Sequence, residues 1–385
     1  MARPQPMGAA AERRSRKERH VARGRRVSDV VNRVVVAGTV IVALLIGACG
    51  SPPNPTLLVA PATEPSSSSV IDEVPTTWHQ ATVLPPDEPV FRAAAAQRGV
   101  VIGDKSVWAR NERAAWIPAE PVDESSRIGL VSWRGKLVSW SDGGLIRTSQ
   151  DGLTWVDAIV GPDESNPTMI VAYADQLLLL GQPTRSLIGA WRSADGSRWT
   201  AIDGAPLGMQ AAVDAGGRGL VAVGSQGADV AVWTSADSAA WASAPAPERR
   251  GPETSALYGV SAGPVGVVAI GDAEGRAAAW SSNDLTIWTP SPSFGEDVFL
   301  GSISNVRGTF VIAGRRRDRP VVWSSPDGRS WASTDLPTSG AGAAEVAVVR
   351  IVDESLVAFG YTTEDAGNGG SSRTGYLIWT LDLPR

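Results

Sequence analysis

Short apolar runs recur through the chain after residue 80, and each is bounded by Gly or small polar residues. In one stretch this pattern predicts four consecutive strands, at residues 209–215, 219–224, 229–235 and 239–244. The following stretches divide in the same way, and none shows a sustained helical period. The second predicted strand usually ends in Gly, which we interpret as a sharp turn; these glycines are Gly103, Gly181, Gly224, Gly271, Gly314 and Gly360. The pattern therefore predicts an all-β fold built from repeated four-stranded units.

Tryptophan marks the repeat. Pairs of Trp eight residues apart occur five times in a chain of 385 residues that holds 15 Trp. The pairs are Trp108 and Trp116, Trp191 and Trp199, Trp233 and Trp241, Trp280 and Trp288, and Trp323 and Trp331. A sixth copy keeps Ser149, Asp151, Gly152 and Trp155 but has Arg147 in the first Trp position. This spacing indicates a true internal repeat.

Two half-copies of the repeat stand at the ends of the chain. Trp78 matches the second Trp of a pair, and Trp379 matches the first. Joined, they form a seventh unit whose outer strand comes from the N-terminal side. Four-stranded units that repeat every 38 to 47 residues are typical of propeller blades. We therefore predict a seven-bladed β-propeller over residues 76–385, with the last blade closed by the N-terminal strand and six or eight blades as the alternative.

The repeated motif spans the hairpin between the third and fourth predicted strands. There Asp can accept hydrogen bonds from the backbone of its own turn, Gly tolerates a positive φ, and Ser can tie the two strands together. The pattern Ser-x-Asp-Gly-x-x-Trp resembles the Asp-box, or BNR repeat, of sialidases and related propellers, in a form one residue shorter than usual. This resemblance implies a structural role at the blade periphery for the motif residues Asp151, Asp195, Asp237, Asp284, Asp327, Trp155, Trp199, Trp241, Trp288 and Trp331.

The first 49 residues are organised like a bacterial secretion signal. A basic stretch precedes fifteen apolar residues, 34–48, which are too few for an ordinary membrane span. The run ends at Cys49, the one cysteine of the chain, and resembles the lipobox of bacterial lipoproteins. The resemblance implies a lipid on Cys49 and a location on the extracytoplasmic side of the cell membrane, with an uncleaved anchor as the alternative.

Residues 50–75 are rich in Pro, Ser and Thr, and this composition predicts a disordered tether. The Ala, Gly and Arg content indicates a GC-rich source such as an actinobacterium.

The charge is distributed unevenly. Residues 1–49 hold ten Lys and Arg against three Asp and Glu, which leaves 25 basic and 37 acidic residues in the rest of the chain. An acidic body argues against a nucleic-acid partner, because phosphate binding needs a basic face. We interpret the local run Arg315-Arg316-Arg317 as a solvated hairpin tip.

Catalytic chemistry finds little support in the sequence. His20 and His79 are the only histidines, so we expect neither His-based catalysis nor a metal or other cofactor. A sialidase-like reaction needs arginines, a Tyr and acids on the innermost strands, and the sialidase signature Phe-Arg-Ile-Pro is missing. The candidates for such a central pocket are Arg92, Arg127, Tyr173, Asp214, Tyr258 and Arg350.

We therefore expect a monomeric, non-catalytic module that binds a protein or glycan partner in the cell envelope, with a sialidase-like glycoside hydrolase as the alternative. Sugar binding requires solvent-exposed aromatic rings. Trp133 and Trp140 lie outside the repeat and are the residues to examine for that role.

Overall fold

The computed structural model describes residues 78–84, 90–95, 99–103, 107–111, 115–118, 127–141, 144–160, 167–184, 187–206, 208–248, 256–338, 343–352, 355–365 and 371–382. The predicted signal segment 1–49 with Cys49, and the predicted tether 50–75, lie outside these residues. Within the described ranges we find no helix with the length and apolar character that a membrane crossing requires.

The strands of the described residues form seven four-stranded antiparallel sheets. The first strand, β1 (His79–Leu84), belongs to the last of these sheets. Sheet 1 comprises β2 (Val90–Ala95), β3 (Gly99–Gly103), β4 (Val107–Arg110) and β5 (Trp116–Pro118). Sheet 2 comprises β6 (Arg127–Trp133), β7 (Lys136–Ser141), β8 (Leu145–Ser149) and β9 (Val156–Val160). Sheet 3 comprises β10 (Pro167–Tyr173), β11 (Gln176–Thr184), β12 (Leu187–Ser193) and β13 (Thr200–Ala201).

The remaining sheets repeat this order. Sheet 4 comprises β14 (Met209–Asp214), β15 (Leu220–Gln226), β16 (Asp229–Ser235) and β17 (Ala242–Ala244), with a 3-10 turn at Gly216–Arg218. Sheet 5 comprises β18 (Ala256–Gly263), β19 (Gly266–Ala273), β20 (Arg276–Ser282) and β21 (Thr289–Pro290). Sheet 6 comprises β22 (Val298–Val306), β23 (Thr309–Arg316), β24 (Arg319–Ser325) and β25 (Ala332–Asp335). Sheet 7 comprises β26 (Ala343–Val352), β27 (Ser355–Asp365), β28 (Ser371–Asp382) and β1.

The sheets follow one another around a ring. The first strand of each sheet contacts the first strand of the next, from β2 through β6, β10, β14, β18 and β22 to β26, and β26 contacts β2. The fold is thus an all-β propeller with four-stranded antiparallel blades, as the repeat predicts.

The two ends of the described chain meet in sheet 7. Strand β1 pairs with β28, and Gln80 lies opposite Trp379. The predicted pairing of the two half-copies is therefore confirmed. Trp78 packs in one cluster with Leu336, Leu377 and Trp379, so the junction is held by side chains as well as by backbone hydrogen bonds.

The core lies between neighbouring sheets. One cluster packs Leu178 and Leu180 of sheet 3 against Leu220 and Trp233 of sheet 4, and similar clusters fill the other described junctions. The second strand of a sheet is buried on both faces because it has a neighbouring sheet on each side. This explains the continuous apolar runs, such as the LVAV of β15, which lack the alternation of a half-exposed strand.

Gly103 is the last residue of β3, but the other five recurring glycines of the second strands do not end their strands, which corrects the interpretation of these five as sharp turns. Strands β15, β19, β23 and β27 continue past Gly224, Gly271, Gly314 and Gly360. Each glycine lies opposite the first strand just before a β-bulge, where the first strand holds one unpaired residue. A Cβ on Gly314 would stand 2.0 Å from the carbonyl oxygen of Phe299, so the close approach of the bulged strand requires glycine.

The same bulge occurs in all seven first strands. The unpaired residues are Phe91, Ile128, Thr168, Gln210, Tyr258, Gly301 and Ala347. The bulge therefore gives a common reference level for comparing positions around the ring.

Candidate functional site

The repeated Ser-x-Asp turn is a closed local hydrogen-bond network. In five copies one carboxylate oxygen of Asp accepts the backbone N–H groups two and three residues later, at 2.7 to 3.0 Å. The Ser hydroxyl donates to the same carboxylate oxygen at 2.9 to 3.3 Å. In four copies it also accepts the N–H of the residue after Asp, for example from Gly328 to Ser325 at 2.8 Å. Ser thus fastens the turn itself, which corrects the expectation that it ties the two strands together.

These hydrogen bonds favour the charged form of Asp. Acceptance of the backbone N–H of Ile287, and of the Thr286 hydroxyl and N–H, lowers the pKa of Asp284 far below its usual value. Asp195 and Asp237 have lowered pKa values for the same reason. A carboxylate whose lone pairs are occupied by its own turn is poorly suited to accept a proton from a substrate.

The indole N–H of the second Trp donates within its own turn in two copies of the repeat and to the preceding sheet in two others. The indole N–H of Trp155 donates to Gly152 O at 2.9 Å, and that of Trp241 donates to Ser238 O at 3.2 Å, both within their own turns. The indole N–H of Trp288 instead reaches Pro245 O of the preceding sheet at 2.8 Å. Trp331 likewise reaches Ser291 Oγ at 3.0 Å, while the buried indole N–H of Trp199 has no partner among the described residues. These contacts fasten turns and neighbouring sheets.

The structure does not bring the candidate central residues together at one level. Counted from the common bulge, Arg92, Arg127 and Tyr258 lie within one residue of it. Tyr173, Asp214 and Arg350 lie three to five residues further along their strands. At about 3.3 Å per residue, members of the two groups are separated by roughly 7–20 Å along the strand direction.

Three of these side chains are also engaged in the fold. Tyr173 Oη donates to Ala236 O at 2.5 Å, and Arg350 Nη1 donates to Ser304 Oγ at 2.7 Å and to Val349 O. Tyr258 packs against the cluster between sheets 5 and 6. Burial, and to a smaller extent the Asp272 carboxylate, raises the pKa of the Tyr258 phenol well above its usual range. A neutral, packed phenol is unsuited to act as a nucleophile.

Trp133 and Trp140 are both buried, at 8% and 3% exposure. They pack in a cluster with Leu177 and Leu179 of sheet 3. These two residues, singled out for examination, therefore offer no open ring to a sugar.

The arginine-rich hairpin between β23 and β24 is matched by acids. Arg315 pairs with Glu345 at 3.2 Å, and Arg317 pairs with Asp297 at 3.6 Å. Arg316 and Arg319 share Asp335, at 3.7 and 3.8 Å. With Asp318 at its tip and the three partner acids, the hairpin has four negative charges for its four positive ones, and Arg316 and Arg319 share Asp335.

A cleft opens next to that hairpin, at the junction of sheets 5 and 6. We call it the aromatic cleft; it has a volume of about 160 Å³ and is lined by Pro292, Phe294, Arg316, Trp323, Trp331 and Ser333. Phe294 meets the Trp323 ring edge to face at 5.8 Å between ring centres, and it meets the Trp331 ring at 5.9 Å. The Arg316 guanidinium lies 5.7 Å from the centre of the Trp323 ring.

The aromatic cleft was not predicted from the sequence, because it combines residues of the repeat with a residue of a connecting segment. Trp323 and Trp331 are repeat positions, whereas Phe294 lies in the segment between β21 and β22. The available signal was the Phe in the stretch PSPSFGEDV, which none of the other junctions contains. No group of three or more His, Cys, Asp or Glu side chains suited to a metal occurs within the described ranges.

The fold places the chain among the β-propellers of known structure. Streptogramin B lyase superposes with a TM-score of 0.61 at 11% identity, covering 80% of this chain and 98% of that one. A virginiamycin B lyase from Staphylococcus aureus gives 0.59 at 10% identity, covering 79% and 99%. YCF48 bound to a D1 peptide gives 0.56 at 15% identity, covering 82% and 97%. No family model matches the chain, and no curated protein does either. At these identities the likeness establishes the fold alone.

Proposed function

We propose that this chain is a non-catalytic, lipid-anchored propeller that binds a protein partner on the extracytoplasmic face of a bacterial cell membrane. The observation that carries the proposal is the aromatic cleft, which two Trp residues, a Phe and Arg316 line together. Binding pockets typically combine an apolar lining with a few polar groups that fix orientation. The cleft is built on strands and on a hairpin of a ring-shaped fold, so its geometry is preorganised.

We propose that the protein is a seven-bladed ring closed by β1. Seven sheets and their contacts around the ring support this count over six or eight blades. We also propose that the Ser-x-Asp turns are shortened Asp-boxes. Their position at the hairpin between the third and fourth strands of sheets 2 to 6 fits the peripheral, structural role that this kinship implies.

A protein partner is favoured over a glycan. The aromatic residues considered for stacking on a sugar, Trp133 and Trp140, are buried in the core. A propeller of the same fold, YCF48, has been solved with a D1 peptide, so this architecture is compatible with peptide binding.

The test of partner binding is site-specific photo-crosslinking in living cells. A photoreactive amino acid is placed in turn at exposed positions of the full chain: Ser333 in the cleft, Ser243 at the equivalent position of sheet 4, and Arg218 and Arg307 at turns between first and second strands. We expect a discrete protein adduct from at least one position. Absence of an adduct from all four, or turnover of a sialoside by the purified chain, would contradict the proposal.

The membrane anchor is tested separately. Cells expressing the chain are fed an alkyne-tagged fatty acid, and the wild type is compared with Cys49→Ala. We expect label on the wild type alone and release of the variant from the membrane fraction. Equal labelling of the two would refute the lipid anchor and leave an uncleaved transmembrane segment as the explanation of membrane attachment.

A further inference from the structure

We infer that the aromatic cleft binds an extended peptide segment in which a proline stands next to an acidic residue. This inference rests on the proposed function and specifies the chemistry of its partner. It follows from the shape of the cleft and from the position and ion pairs of Arg316.

The shape favours a compact apolar group. The Phe294 ring stands at 89° to the Trp323 ring and at 52° to the Trp331 ring, so the three rings form a corner. A volume of about 160 Å³ is enough for one small side chain. A pyrrolidine ring fits such a corner, and proline-rich segments in the polyproline II conformation dock in aromatic-lined grooves with little loss of entropy.

The charge favours a carboxylate next to the apolar group. Arg316 and Arg319 share the single carboxylate of Asp335, whereas the adjacent Arg315 and Arg317 each have an acid of their own. Arg316 lines the cleft and is 37% exposed, so its guanidinium is accessible to a ligand. An Arg–carboxylate hydrogen bond is strong and directional.

A cationic ligand and a sugar fit less well. Arg316 already lies over the Trp323 ring, the position that an ammonium group bound by the aromatic rings would take. A sugar ring needs a broad exposed aromatic face, but Phe294 and Trp323 are buried at 9% and 2% exposure and offer only small parts of their rings. A segment with a proline next to an acidic residue needs neither a free cation position over Trp323 nor a broad exposed aromatic face.

The experiment uses the full chain in mild detergent and a fluorescein-labelled twelve-residue peptide of repeated Pro-Pro-Glu, followed by fluorescence anisotropy. A Pro-Pro-Gln peptide and a chitin oligosaccharide serve as alternative probes. We expect saturable binding of the Pro-Pro-Glu peptide, about tenfold weaker binding of Pro-Pro-Gln because the charge-assisted hydrogen bond is lost, and no binding of the sugar.

Two variants change residues on the exposed side of the cleft. Ser333→Phe fills it from the exposed strand β25, and Arg316→Gln removes the charge. We expect each to weaken binding of the Pro-Pro-Glu peptide by about tenfold or more. The matched controls are Ser243→Phe, whose residue lies opposite Trp233 as Ser333 lies opposite Trp323, and Arg276→Gln on the equivalent hairpin of sheet 5. Both should bind as the wild type does.

The outcomes separate this inference from the proposed function. Equal binding by the cleft variants and the controls, no binding of the peptide, or preferential binding of the sugar overturns the inference. If a crosslinked partner is nevertheless found and Ser333→Phe leaves its yield unchanged, the binding function stands and only the cleft assignment fails.

Discussion

At the scale of single residues, the position after the motif Asp is the most constrained. Its backbone lies in the left-handed region in every described copy, with φ between 62° and 76°. Glycine occupies it at Gly152, Gly196 and Gly328, which is the residue this conformation favours. Ser238 and Leu285 occupy it in sheets 4 and 5. Leu285 is buried and packs in the core cluster between sheets 4 and 5, whereas Ser238 buries a polar hydroxyl group.

We predict that Ser238→Gly stabilises the protein by about 1 kcal/mol, because it relieves a strained φ and removes a buried hydroxyl. That hydroxyl has no hydrogen-bond partner in the described part of the chain. The reciprocal change Gly328→Ser should destabilise by about 2 kcal/mol, since a Cβ there would stand 2.4 Å from Val268 Cγ2. Urea unfolding followed by circular dichroism measures both; a lower midpoint for Ser238→Gly would contradict the prediction.

The motif carboxylates also predict an acid dependence of stability. The folded-state pKa of Asp284 is depressed below the ordinary value of 3.8, so its contribution is complete above that pH and is lost as the pH falls toward the folded value. We therefore expect Asp284→Asn to be less stable than the wild type at pH 7 and to approach it progressively below pH 3.8. Unfolding midpoints measured between pH 7 and pH 2.5 test this. A wild-type advantage that is unchanged at pH 2.5 would show that the carboxylate charge is not responsible.

At the scale of strands, the bulge and its opposing glycine form the recurrent packing element. We predict that Gly314→Ala destabilises the protein by about 3 kcal/mol, because the added methyl group would meet the carbonyl of Phe299 at 2.0 Å. Gly217→Ala is the matched control, since Gly217 has no atom within 4 Å of the added methyl group. Thermal unfolding should separate the two variants by roughly 5 °C or more. Equal midpoints would mean that the bulge relaxes without cost.

The bounds of some strands could be predicted from the sequence, whereas the bounds of others and the β-bulges could not. The repeat predicted β16 as residues 229–235, which is its observed span, because an apolar run between two turns defines a strand directly. The fourth strand of the same sheet is only Ala242–Ala244, shorter than predicted, since the Asp turn occupies the residues before it. The bulges were not predicted, because a glycine needed for close approach has the same signature in sequence as a glycine needed for a turn.

The candidate site was less predictable than the fold for a related reason. Repetition reveals what the blades share, whereas the aromatic cleft depends on what distinguishes one junction from the others. Phe294 in a connecting segment and Arg316 at a hairpin end meet only because sheets 5 and 6 are neighbours. Arg92, Arg127 and Tyr258, by contrast, were correctly placed on first strands, but their level relative to Tyr173 and Arg350 depends on the bulge register.

At the scale of the whole molecule, stability depends on the closure of the ring. Each sheet has a neighbour on both sides, and the clusters between sheets supply the core. Sheet 7 is the one sheet made from two distant parts of the chain, so β1 links the beginning of the described chain to its end. Separation of β1 from β28 would expose the edge of β28 and the hydrophobic cluster around Trp379. The pairing of the two chain ends therefore contributes to the stability of the ring.

A disulfide across this closure tests the coupling. His79 and Thr380 lie directly opposite each other in the β1–β28 pair, at a Cα separation that antiparallel strands bring within reach of a disulfide. We predict that the double variant His79→Cys, Thr380→Cys, made in a Cys49→Ala background, forms an intramolecular disulfide when it is oxidised. The disulfide should raise the free energy of unfolding by about 4 kcal/mol, because it closes a very long loop in the unfolded chain. Mobility on non-reducing gels and urea unfolding with and without reductant measure the bond and its effect, and each single cysteine variant serves as control. Disulfide-linked dimers in place of the intramolecular bond would show that β1 closes the ring of another molecule, and no bond at all would refute the pairing.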